Sequence, residues 1–172
     1  MRFGTIQITF LITLSLTACI PITIRPGALG PVRDWPATAN CPVPARTASD
    51  APQLVVLMNA ERAKVGLEPL VLSAAISAVS HAYACETSAR QDIGHVGTDG
   101  SKLSERLRRG GITASMVAEN NASFYRTPEE AMVAWMASPH HRENILRKDA
   151  RKVGIGQAGE GLWAVWVVNF TS

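Results

Sequence analysis

The chain has 172 residues, 47% of them hydrophobic and 18% charged, with a formal net charge of +3. That is long enough for one domain with a sizeable core and too apolar for a disordered chain. The small basic excess behind a sequence pI near 9.0 argues against a polyanion-binding surface, and so against a nucleic-acid function.

The first stretch reads as an address. Arg2 precedes an apolar run from Ile6 to Leu16, too short to span a bilayer as a helix. It ends in Leu16-Thr17-Ala18-Cys19, which resembles a bacterial lipobox. The resemblance implies a signal peptide over 1–18 and lipidation at Cys19, tethering the protein to a membrane. Ile20, rather than Asp, follows the cysteine, which implies the outer membrane and periplasm where the host has two membranes. The stretch 19–50 is then the anchor and a linker: six of the ten prolines fall in it, favouring an extended, semi-rigid spacer. Export leaves Cys41 and Cys85 as a pair in an oxidising space, either as a disulfide worth roughly 4 kcal/mol or as two free thiols. The bridge is the expected state.

The domain is expected over 51–172. A first helix should begin at Asp50, with Pro52 in its first turn, and end at Gly66. Its Asn59 and Arg62 share a face, as a solvated surface or as structural hydrogen-bonding groups. A second helix is expected from Ser73 to Gln91, with Leu72, Ile76, Val79 and Tyr83 as its buried stripe and Ala and Ser allowing close packing. His81 lies off that stripe and reads as an exposed or internally satisfied histidine. The glycine-rich loop from Ile93 to Gly100 holds His95, a better functional candidate than a helix-face histidine. A short helix capped by Ser101 should turn Arg106, Arg108 and Arg109 outward.

A strand and loop are expected between Ile112 and Phe124, carrying Glu119, whose partly buried carboxylate would need a partner. Thr127-Pro128 with Glu130 forms a capping box for a helix containing Met132, Trp135 and Met136, stopped at Ser138-Pro139. His140, His141, Arg142 and Asn144 follow at once. Strand-like runs at 152–157 and 162–170 form a hairpin, with Val165 and Val167 on one face and Trp166, Val168 and Phe170 on the other. Apolar residues on both faces require cover on both, so the class is α+β in three layers. The basic run Arg142, Arg147, Lys148, Arg151 and Lys152 is interrupted by Glu143 and Asp149; it reads as a solvated surface, or as a contact for anionic lipid or cell-wall polymer.

Several blocks together resemble the CAP superfamily (the SCP domain of cysteine-rich secretory, antigen-five and pathogenesis-related proteins) in its bacterial form. They are Leu57-Met58-Asn59-Ala60-Glu61-Arg62, Gly66-Leu67-Glu68-Pro69-Leu70, Gly94-His95, Asp99-Gly100, Glu119-Asn120 and the stretch from Trp135 to Leu146. The resemblance covers about 52–170 and implies an α-β-α sandwich with a central antiparallel sheet. It also implies a cleft lined by His95, Glu119 and His141, supported by Asn120, His140, Arg142 and Asn144. Ser138 stands where animal and plant members carry a second acid. Three uses of the trio stay open: a hydrogen-bonded cluster ordering the cleft, a site for zinc or another divalent metal, or hydrolysis of envelope peptides or peptidoglycan. The last would use Ser138 or a metal-bound water, with His141 as base and Glu119 assisting. Family resemblance further implies a binding module with a hydrophobic ligand such as a lipid; a cell-wall component is the other expected partner, and the chain is expected to be a monomer.

Overall fold

The computed structural model describes residues 40–172; the apolar leader, Cys19 and most of the proline-rich linker lie outside the described residues. Five helices and four strands follow in the order α1 (Thr47–Lys64), β1 (Val71–Leu72), α2 (Ala74–Arg90), α3 (Leu103–Arg109), β2 (Val117–Ser123), α4 (Pro128–Ala137), α5 (Pro139–Ile145), β3 (Lys152–Ala158) and β4 (Val165–Thr171). The sheet order is β1-β3-β4-β2. Strands β3 and β4 pair antiparallel, as do β2 and β4, whereas the two-residue β1 runs parallel to β3. The sheet is therefore mixed, and its purely antiparallel description applies to three of the four strands.

The two faces of β4 divide the core as the alternation predicts. Trp166, Val168 and Phe170 pack with Leu54 and Met58 of α1 and with Met132 and Trp135 of α4. Val165 and Val167 pack on the other side with Ile76, Val79 and Tyr83 of α2. The result is three layers with a separate hydrophobic cluster on each side of the sheet.

Helix α2 lies unusually close to β3 because two positions lack a side chain. A Cβ on Gly154 would come within 2.3 Å of the Ile76 carbonyl carbon, and one on Gly156 within 2.2 Å of the His81 amide nitrogen. Small hydroxyls fill the seam: Ser80 Oγ donates to the Gly154 carbonyl at 3.1 Å, and Ser77 Oγ accepts from the Ile155 amide at 3.0 Å. The Ala and Ser content of α2 thus has its expected use.

Three local expectations change. Helix α1 begins at Thr47, not Asp50, so Pro52 lies inside it; Asp50 instead accepts from Gln157 Nε2 at 3.0 Å. Lys102, rather than Ser101, occupies the N-cap position of α3. Arg106 does not face outward but is fully buried. Of the two readings of His81, the internally satisfied one holds: it is buried, with its ring nitrogens 2.9 and 3.1 Å from the carbonyl oxygens of Gln157 and Cys41.

Arg62 resolves its two readings in favour of structure. Its Nε donates to Glu68 O at 2.8 Å, Nη1 to Ile145 O and Arg147 O at 2.7 and 2.9 Å, and Nη2 to Ala150 O at 3.2 Å. One guanidinium thereby closes the end of α5 and the turn after it onto α1. Asn59 pairs with both the amide and the carbonyl of Leu70, at 2.7 and 3.0 Å. Replacing Arg62 by Ala orphans these carbonyls in a dry environment and should cost about 3 kcal/mol or more. A lowered urea midpoint at unchanged m-value is the expected result. Lys, lacking the planar fork, should recover only part of the loss.

Candidate functional site

The site lies along β2, the edge strand of the sheet. Alternation sends Glu119 and Asn121 to the α2 side and Asn120 to the α4 side. The outer edge of β2 would otherwise expose free carbonyls. Asn144 Nδ2 covers the Glu119 carbonyl at 3.2 Å, and Trp135 Nε1 covers that of Asn121 at 3.3 Å. Asn120 bridges the Asn144 side chain and the His141 carbonyl, both at 2.9 Å. Asn120 and Asn144 are therefore the groups that fix α5, and with it His141, against the sheet.

Ser138 ends α4 and is the residue from which α5 starts, with extended backbone at ψ 121° and Pro139 as the first helical residue. This break turns the chain so that His140 and His141 begin a new helix instead of continuing α4. His140 and Arg142 are exposed and His141 is half-buried. Among the described residues, no side-chain hydrogen bond joins Ser138 to His141.

Glu119 is the centre of the site. Its side chain is 3% exposed, while that of His95 is 58% exposed. Glu119 Oε2 accepts from Arg106 Nη2 at 2.6 Å, and Oε1 contacts His95 Nδ1 at 2.9 Å and Asn121 Nδ2 at 3.3 Å. Arg106 also donates from Nη1 to the carbonyls of His95 and Ser101, each at 3.0 Å. Its guanidinium stacks 3.6 Å above the Tyr83 ring centroid. The Tyr83 hydroxyl donates to Gly94 O at 2.6 Å, and burial pushes its pKa up, which keeps the phenol a donor. The loop bearing His95 is thus held by Tyr83, Arg106 and Asn121, and its imidazole by Glu119.

Both Glu119 oxygens accept from protein donors, so the carboxylate orients His95. With Nδ1 turned to Glu119, His95 directs Nε2 away from it, the arrangement in which a carboxylate sets the tautomer of a metal-binding or ligand-binding histidine. The two histidines differ electrostatically. The Glu119 hydrogen bond raises the His95 pKa above the ordinary 6.5. Desolvation, with the nearby His95 and His140 charges, lowers that of His141. Among the described residues, the group of three whose ligand atoms lie within 4.8 Å of one another is Cys41, His81 and Cys85, not His95, Glu119 and His141. Cys41 and Cys85 form a disulfide, as expected from export, with Cα atoms 6.0 Å apart.

Sequence reasoning missed Arg106 and Tyr83. Tyr83 was legible only as core, and Arg106 stands among Arg108 and Arg109 on a short helix with nothing to mark it. The hint was Glu119 itself, a carboxylate on an apolar strand whose burial demands a cation.

Comparisons with known proteins bear on the family and the fold. A family model described as CAP, the cysteine-rich secretory protein family, matches residues 55–170. The uncharacterized protein YkwD of Bacillus subtilis is 30% identical over 140 residues, which are 78% of this chain and 54% of YkwD. The uncharacterized membrane protein YlbC of the same organism is 27% identical over 104 residues, 60% of this chain and 30% of YlbC. The chain thus spans about half the length, or less, of these curated relatives. Among solved structures, an outer surface protein of Borrelia burgdorferi matches with a TM-score of 0.68 at 23% identity, covering 73% of this chain and 94% of that one. An extracellular SCP-domain protein of Bacillus anthracis matches with a TM-score of 0.65 at 22% identity, covering 70% of this chain and 39% of that one. At these identities the two structures establish the fold.

The unequal histidines generate a test by NMR titration. His95 should titrate above 6.5 and His141 below it, and Glu119→Gln should bring the His95 value down while the fold persists. The signs for stability are opposite. His95 contributes stability fully below its unfolded pKa, and this is lost as pH rises through its raised folded value. His141, neutral when folded, contributes above 6.5 and loses that contribution as pH falls through its lowered folded value.

Proposed function

The chain belongs to the cysteine-rich secretory protein (CAP) family, and from that premise we propose that it is an exported, envelope-tethered binding module whose cleft presents His95 and His141 to a ligand. The observation that carries this reading is the buried Arg106–Glu119–His95 chain, with contacts of 2.6 and 2.9 Å. A fully buried arginine and a buried carboxylate together hold one exposed imidazole. That is the economy of a recognition site. The hydrolase reading has less support, because no hydrogen bond joins Ser138 to His141 among the described residues.

Export is supported by the Cys41–Cys85 disulfide and by surface or extracellular proteins among the structural neighbours. Tethering through a lipidated Cys19 rests on the leader sequence alone. The ligand is proposed to be amphipathic. Ile93 and Val96 flank His95 in sequence and are both exposed, offering apolar surface beside the imidazole. A divalent cation in the same cleft would take His95 Nε2 and His141 as its protein donors, with water completing its shell and Glu119 orienting His95.

Calorimetric titration with zinc at pH 7.5 tests the cleft. Binding should be weak, with one ion per chain, and should strengthen with pH as His95 loses its proton. The His95→Ala/His141→Ala pair should abolish it, and Glu119→Gln should weaken it about 10- to 100-fold. Zinc binding by the oxidised protein that survives the double substitution removes the cation from this cleft. Turnover across a peptide and muropeptide panel, lost with His141→Ala in a folded protein, would replace the binding module by the hydrolase.

A further inference from the structure

A second cluster of metal-ligating side chains lies outside the cleft. His81 and Cys85 are one helical turn apart on α2, and Cys41 reaches them from the segment before α1. Their candidate ligand atoms all lie within 4.8 Å of one another. We propose that Cys41, His81 and Cys85 form a redox-gated zinc site: a disulfide when oxidised, a two-thiolate, one-imidazole metal site when reduced.

The geometry fits. His81 Nε2 lies 3.5 Å from Cys85 Sγ, and tetrahedral zinc with Zn–S of about 2.3 Å and Zn–N of about 2.0 Å places such donors roughly 3.5 Å apart. His81 Nδ1 lies 2.9 Å from the Gln157 carbonyl oxygen on β3, the contact that would hold Nδ1–H when Nε2 takes the metal. In the oxidised protein Nε2 lies 3.1 Å from the Cys41 carbonyl oxygen and 3.5 Å from Cys85 Sγ, so movement of Cys41 on reduction would turn Nε2 from the carbonyl to a cation.

The site can also be reached. Cys41 and Cys85 line a groove of about 960 Å³, together with Ser88, Arg46 and Glu160. A dithiol entering there would break the S–S bond, being oxidised to its own disulfide as two electrons and two protons convert the cystine to two thiols. Zinc then binds the thiolates and releases both protons to solvent, with a groove water in the fourth position. Cys41 lies outside any helix or strand, so its sulfur can swing away from Cys85 without distorting one. In either state residue 41 stays fastened to α2. Reduction would exchange one tether for another instead of releasing the N-terminal segment.

The test uses the full chain, oxidised or reduced with a phosphine and desalted without oxygen. Zinc should bind the reduced chain one to one through this site, protect both thiols from alkylation and raise its melting temperature. His81→Ala should weaken that binding at least tenfold, whereas His95→Ala/His141→Ala should leave it unchanged, which separates it from the cleft. Cobalt substituted for zinc should show thiolate charge-transfer absorption in the reduced chain alone. The proposal is overturned if reduced protein gains no thiol protection, or if His81→Ala leaves affinity intact. It is equally overturned if a reduced chain stays unfolded with zinc present.

Discussion

The approach of α2 to β3 is the contact on which the rest depends. With Gly154 and Gly156 beneath it, the helix rests its backbone almost on the strand, closer than any side chain would permit. Ser77 and Ser80 then bond to the strand directly, so the seam is dry and its polar groups are paired. A helix seated this tightly has little freedom to slide or rotate. Its outward groups become fixed points for everything packed against them.

Both candidate sites take their geometry from that helix. At one, Tyr83 provides the ring beneath Arg106 and the hydroxyl that holds Gly94, and through these the position of His95. At the other, His81 is seated on Gln157 and Cys85 meets Cys41. The cleft's second wall, α5, is fixed by a different device: Asn120 and Asn144 across the sheet edge, and Arg62 gathering the carbonyls where α5 ends. Rigid backbone with polar fastening places one exposed and one half-buried imidazole.

Glu119 is held by the protein's own donors. Here one oxygen belongs to Arg106 and the other to His95 and Asn121. The burial of Arg106 would be costly alone, and so would that of Glu119; each removes the penalty of the other. What reaches the surface is an oriented imidazole and, across the cleft, a more weakly basic one.

By itself the sequence determined the features governed by local periodicity and backbone chemistry. These include the capping box at Thr127 and Glu130, the helix break at Ser138-Pro139, the two-faced β4 that demanded three layers, and the pairing of Cys41 with Cys85. His95, Glu119 and His141 were legible through the resemblance of their surrounding blocks. Tertiary structure alone decided the roles of the long polar side chains. Arg106 and Arg108 share a helix and a residue type, yet one is buried in the site and the other lies on the surface. His81 likewise has a buried role that its helix position could not reveal. Periodicity records which face of an element is apolar. The partner of a buried charge or imidazole comes from an element far along the chain, so only folding brings the two together.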